Sequence, residues 1–101
     1  MSVIVILKVP ADTTVFRQAL IDRSAEFVRS RERAIASGAL HHRFAVGPAH
    51  VIAIDEWERA EQFEQFFSEA ALHDFVESIG CDVSKPPEVW VGEAIDSPDY
   101  F

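Results

Sequence analysis

Cysteine is nearly absent: Cys81 stands alone among 101 residues. An intrachain disulfide, a cysteine-based zinc site and a CxxC redox pair are therefore all excluded, and a reducing cytoplasm is the expected setting. The four glycines, Gly38, Gly47, Gly80 and Gly92, are isolated from one another. This excludes the glycine-rich loops that cradle phosphates and dinucleotides, so no nucleotide cofactor is expected. Basic residues are few. Nine Lys and Arg against 17 Asp and Glu give a formal charge of −8 and a pI near 4.8, so a polyanion such as nucleic acid is repelled at long range. Long apolar runs are missing too. The stretch Val3-Ile4-Val5-Ile6-Leu7 is interrupted by Lys8 and Pro10 and has no basic leader. It is too short for a signal segment or a membrane span, and no membrane partner is expected.

What remains is the size and mixture of one domain, 1–101, with no repeat, linker or low-complexity tract. A domain of this size buries only about two-thirds of its unfolded surface, so it gains from a partner. Charge is unevenly spread. Through His50 there are seven Lys and Arg against four Asp and Glu; from Val51 onward there are two against thirteen. Oppositely charged, solvated helix faces are the favoured reading, and a charge pattern that orients subunits or recruits another protein is the alternative.

Residues 3–9 are β-branched and apolar at both parities, the pattern of a central strand covered on both faces. Asp12, Thr13 or Thr14 caps a helix whose apolar positions Phe16, Leu20, Phe27, Val28 and Ile35 lead to a stop at Gly38. Residues 40–46 and 50–57 read as two strands joined by the breaker cluster Gly47-Pro48-Ala49. Helical spacing returns through Phe63, Phe66, Phe67, Leu72, Phe75, Val76 and Ile79, with a break near residues 68–71 and a stop at Gly80. A loop over 82–87 precedes a last strand from Val89 to about Ile95. The order β-α-β-β-α-β closes naturally into a ferredoxin-like α+β fold. It has a four-stranded antiparallel sheet, strands 1 and 3 central, and helices on one face.

Alternation divides strand 2 into Leu40, His42, Phe44 and Val46 against His41, Arg43 and Ala45. It divides strand 3 into Ile52 and Ile54 against Val51, Ala53, Asp55 and Trp57. Assigning the bulkier aliphatic sets to the helix side leaves the second face still apolar, and a second copy of the chain is its expected cover. On that assignment His41, Arg43, Asp55 and Trp57 project together. A register pairing Val46 with His50 sets His41 opposite Asp55. The carboxylate would hold the imidazole in one tautomer as general base, while Arg43 takes an anionic oxygen and Trp57 stacks on a planar ring. An ordinary cross-strand ion pair is the competing reading, and a one-residue shift of register breaks the pairing. His42, on the helix-covered side, is expected to bond a backbone carbonyl. The His41-His42 pair is a poor chelate because strand neighbours face opposite ways, and no HxH or HxxxH run occurs; no metal is expected.

The segment Gly38-Ala39-Leu40-His41-His42-Arg43-Phe44, the Asp55-Glu56-Trp57 strand ending, the Phe-rich helix after it and the ending Pro98-Asp99-Tyr100-Phe101 together resemble the dimeric α+β barrel superfamily. Within it the likeness is to antibiotic biosynthesis monooxygenases, in an uncharacterised bacterial subgroup. The resemblance spans the whole chain and is architectural. It implies a homodimer with two sheets packed face to face. It also implies a cavity between sheet and helices or within the barrel, suited to a small hydrophobic ligand. Arg43 and Trp57 on the strands, and Phe67 and His73 on the second helix, are the candidates to line it, against core packing for Phe67 and solvent exposure for His73. Known members include cofactor-free oxygenases and haem-degrading enzymes. The haem-degrading branch uses an Asn on strand 1, a Trp ending strand 3 and a haem-ligating His on helix 2. Here only Trp57 matches: asparagine is absent from the chain, Phe67 falls where that His would stand, and His73 lies further along. A cofactor-independent monooxygenase acting on a hydrophobic aromatic compound is the first functional reading. A non-catalytic ligand-binding or regulatory dimer is the second, and a protein interaction module the third.

Overall fold

β1, Val3–Pro10, sets the orientation of the sheet. In the computed structural model, which describes residues 1–101, Val5, Leu7 and Val9 are buried while Ile6 on the opposite parity is exposed. β3, His50–Trp57, lies antiparallel beside β1, with Val5 opposite Asp55, Leu7 opposite Ala53 and Val9 opposite Val51. Directly opposed residues share a face. Val51, Ala53, Asp55 and Trp57 therefore join the inner face of β1, and His50, Ile52, Ile54 and Glu56 lie on the outer one. β2, Ala39–Val46, and β4, Glu88–Glu93, complete the antiparallel sheet in the order β2-β3-β1-β4. Strands 1 and 3 are central, as the chain order predicts.

The helices cover the inner face. α1, Thr13–Asp22, begins at Asp12, whose carboxylate accepts from the backbone N–H groups of Thr14 and Val15. α2, Ser24–Ala36, follows after a break at Arg23 (φ −122°, ψ 30°). The expected single helix is thus two. Arg23 leaves helical geometry, and its guanidinium donates to the carbonyl and hydroxyl of Ser78 and pairs with Glu26. The break resets the helical phase. Phe27 turns onto the Phe16 and Phe44 rings, whereas Leu20, Val28 and Ile35, expected in one inward stripe, are exposed. α3, Ala60–Phe67, and α4, Ala70–Ser78, are separated at Ser68 and Glu69, where the sequence predicts an interruption.

One buried cluster joins the layers through Val5, Leu7, Val51, Trp57, Phe16, Phe63, Phe66 and Leu72, among others. Behind α4, Gly80 adopts φ +102°, and a Cβ there would stand 2.9 Å from the Asp12 carbonyl oxygen. A side chain is excluded on both counts. That close approach lets the Gly80 carbonyl accept from Asp12 N–H, while Asp82 N–H donates to Pro10. β4 stops at Glu93, short of the predicted Ile95, which is exposed. No helix is long and apolar enough to cross a membrane.

The largest departure from expectation lies in the β2–β3 hairpin. Gly47 N–H donates to the His50 carbonyl, so Pro48 and Ala49 alone form the turn and Val46 pairs with Val51 rather than His50. One residue of register exchanges the faces of β3 relative to β2. Ile52 and Ile54, expected on the helix side, are on the outer face, and Trp57, expected outside, is 2% exposed in the core. A bulge at Leu40, between the Ala39–Trp57 and His41–Glu56 pairs, takes up the extra residue at the far end.

Candidate functional site

The register that separates His41 from Asp55 brings His42 to it. His42 lies opposite Asp55, and its Nδ1–H donates to Asp55 Oδ1 at 2.6 Å. The second carboxylate oxygen accepts from Trp57 Nε1–H at 3.2 Å. An ionised carboxylate only accepts, so a proton resides on Nδ1; in the neutral imidazole the lone pair is on Nε2, which has no partner in the fold. The Asp55 side chain is 13% exposed and that of His42 46% exposed. The acid is enclosed and the base reaches solvent. Packing fixes both partners. The Phe44 ring stands edge-on to the imidazole at 4.5 Å, and Trp57 is held between Phe63 at 6.0 Å and Phe66 at 5.5 Å. A carboxylate bonded to a packed indole and in turn orienting an imidazole with one free nitrogen is an arrangement compatible with general-base chemistry.

The other sequence-predicted residues are dispersed. His41 is exposed on the outer face opposite Glu56, and Arg43 is exposed there opposite Ile54. The predicted cluster of His41, Arg43, Asp55 and Trp57 is therefore divided by the sheet, because register and not spacing decides which side chains of two strands share a face. His42 is on the helix side as predicted, but it bonds a carboxylate instead of a carbonyl. His73 Nε2 bonds the Phe67 carbonyl at 2.6 Å across the α3–α4 break, with its ring tilted over Phe67. These two residues border a cavity of about 50 Å³ with Val9, Val76, Val83 and Pro87, among others. A second, larger groove lies between α2 and α4. Neither includes His42. No three His, Cys, Asp or Glu side chains converge as metal ligands.

Cys81 is buried, and burial pushes its thiol up to about 11. Its alkylation by iodoacetamide at pH 8 is expected to be at least about a hundredfold slower in the folded protein than in urea, because so little thiolate is present. The folded thiol titrates above the unfolded one, so its share of stability is complete below about pH 9 and is lost as pH rises toward 11. Denaturation curves across that range are expected to fall more steeply for the native chain than for Cys81→Ala.

No family model matches the chain, and no curated protein matches it. Solved structures do. The chain is similar to SnoaB, a cofactor-independent oxygenase from Streptomyces nogalater, with a TM-score of 0.63 at 10% identity over 97% of both chains. A putative antibiotic biosynthesis monooxygenase from Nitrosomonas europaea superposes with a TM-score of 0.63 at 8% identity, covering 93% of this chain and 90% of the other. Another from Chloroflexus aurantiacus gives 0.59 at 18% identity, with 96% of each chain covered. The class defined by sheet order and helix placement is the ferredoxin-like α+β fold of the antibiotic biosynthesis monooxygenases. At these identities the likeness establishes that fold.

Proposed function

We propose that the chain is a small-molecule enzyme of the cofactor-independent oxygenase type, with His42 as its general base. The observation that carries this reading is the chain of hydrogen bonds Trp57–Asp55–His42, in which Nε2 of a half-exposed imidazole has no partner. The substrate class is a hydrophobic aromatic compound with an acidic C–H or O–H. His42 Nε2 takes the proton, and Asp55 stabilises the imidazolium that forms. The resulting electron-rich anion supplies the electrons that reduce dioxygen. For an activated methylene, one oxygen atom becomes the carbonyl and the other leaves as water with the two hydrogens lost from carbon. Substrate reaches the base from the β2 edge of the sheet, where His42 is half exposed. Oxygen consumption with an anthrone-like or quinol-like aromatic, compared between the native chain, His42→Gln and Asp55→Asn, tests the assignment. Undiminished rates in both variants would refute it in favour of non-catalytic ligand binding.

The protein works as a homodimer in this reading. Ile54 and Trp90 are 42% and 53% exposed, and the strand register places both on the outer face with Ile4, Ile6 and Ile52. An apolar sheet face without helices is a surface that association buries. Ile54→Glu introduces a charge at its middle and is expected to weaken self-association roughly thirtyfold or more. Sedimentation velocity reads the shift toward monomer. A native chain that sediments as a monomer at micromolar concentration would overturn the dimer.

A further inference from the structure

The groove between α2 and α4 has a volume of about 190 Å³ and is lined by Glu26, Arg29, Ser30, Arg33, Leu72 and Phe75. The four α2 residues fall at i, i+3, i+4 and i+7, one face of that helix. Leu72 and Phe75 supply an apolar floor from α4. Most of the charges around the groove are already committed to one another. Arg23 pairs with Glu26, and Arg33 pairs with Glu69 at 2.6 Å while lying over the Phe66 ring. Arg29 takes part in none of the ion pairs. Arg23, Arg29 and Arg33 against Glu26 and Glu69 leave a local charge of +1 in a chain whose formal charge is −8.

We infer that this groove binds a small organic acid with a single-ring or similarly sized apolar body, its carboxylate on Arg29. A guanidinium with its fork free engages a carboxylate through two parallel hydrogen bonds, which a lone ammonium cannot do. The neighbouring ion pairs hold Arg23 and Arg33 in place, whereas Arg29 acts on the Glu26 charge only from a distance and keeps its fork outside any ion pair. Ser30 adds a hydroxyl beside it, able to donate to the same carboxylate. The body of the acid lies on Leu72 and Phe75. The Phe75 ring is already fixed by Arg23 over it at 5.2 Å and by Phe27 edge-on at 5.1 Å, so it is a preformed wall.

A closed apolar cavity of about 150 Å³ accommodates benzene, so a groove of 190 Å³ has room for one ring with its carboxylate. The site is distinct from His42: neither His42 nor Asp55 lines the groove, and its occupancy does not depend on the proposed base chemistry.

Benzoate is the probe, titrated into the whole chain and followed by calorimetry and by amide shifts in two-dimensional NMR. Saturable binding with a dissociation constant on the order of 1 mM or tighter is expected for an acid of this size, with the shifts centred on residues 26–33 and 70–76. Arg29→Gln and the neutral analogue benzamide should each weaken binding at least about tenfold. Arg31→Gln, an exposed arginine of the same helix that does not line the groove, should leave it unchanged. Four results would overturn the proposal: no saturation by 20-fold that concentration, equal affinity in Arg29→Gln, acetate or inorganic phosphate binding as tightly as benzoate, or shifts centred on His42.

Discussion

His42→Gln is expected to lower the rate of substrate oxidation by about 10²–10⁴, the usual contribution of a positioned general base, with only a small loss of stability. The two halves of this result separate chemistry from structure. His42 is half exposed and its Nε2 has no partner in the fold. With a donor toward Asp55 retained, the substitution is expected to cost about 1 kcal/mol or less. The glutamine amide preserves a donor toward Asp55, so the carboxylate keeps a partner while the titratable nitrogen is gone. Asp55→Asn is expected to cost activity through a different route. Asparagine offers one oxygen to two donors that bond separate carboxylate oxygens in the native chain. With that oxygen on Trp57, the amide NH2 faces Nδ1 and drives the imidazole to the tautomer protonated on Nε2, and the charge that stabilises the imidazolium is gone. Stopped-flow oxygen uptake with the three proteins distinguishes these outcomes. A variant with full activity at either position contradicts the assigned role of that residue. His41→Gln is the matched control, since His41 lies across the sheet from Asp55.

Trp57→Ala is expected to produce the largest loss of stability of any single core substitution here, about 3–5 kcal/mol. Trp57 is 2% exposed and packs against Phe63 and Phe66. Its indole also donates to Asp55. Truncation therefore opens a cavity beneath α3 and removes a hydrogen bond from a largely enclosed carboxylate. A domain of this length has a total stability of only about 5–15 kcal/mol, so the melting temperature should fall by roughly 15 °C or more. Trp57→Phe retains most of the ring volume and loses the N–H donor. Its expected stability lies between the other two, while its activity falls because Asp55 is no longer held on that side. Thermal denaturation of the three proteins reads the packing contribution, and oxygen uptake by the folded Trp57→Phe protein reads the positioning contribution. Equal stability of Trp57→Ala and the native chain would contradict the core placement of the indole.

These two residues also show how far the chain could be read before the fold was seen. The α+β class, the sheet order and the stops at Gly38 and Gly80 were legible because they depend on local signals: periodicity, capping residues and breakers. The pair of Asp55 with an imidazole on the neighbouring strand was legible as a chemistry. Its partner was not. His41 and His42 are adjacent in sequence, so both satisfy the same spacing argument, and only the turn at Pro48 and Ala49 chooses between them. β1 does not make the choice, because Val3 to Leu7 are apolar at both parities and its register against β3 is set by docking. The phase break at Arg23 was illegible for a related reason, since it is stabilised by the end of α4, 55 residues away.

The amino-acid sequence by itself determined the β-α-β-β-α-β plan, the fold class, and the lack of an intrachain disulfide and of a glycine-rich phosphate loop. Each of these follows from interactions within one segment or from composition. Tertiary structure alone decided that His42, not His41, meets Asp55, that Trp57 is core, and that Arg29 faces a groove without an ionic partner. Those outcomes depend on how separate segments dock. A one-residue slip between two strands, or a turn of a helix about its axis, changes every side-chain neighbour while leaving local propensities the same.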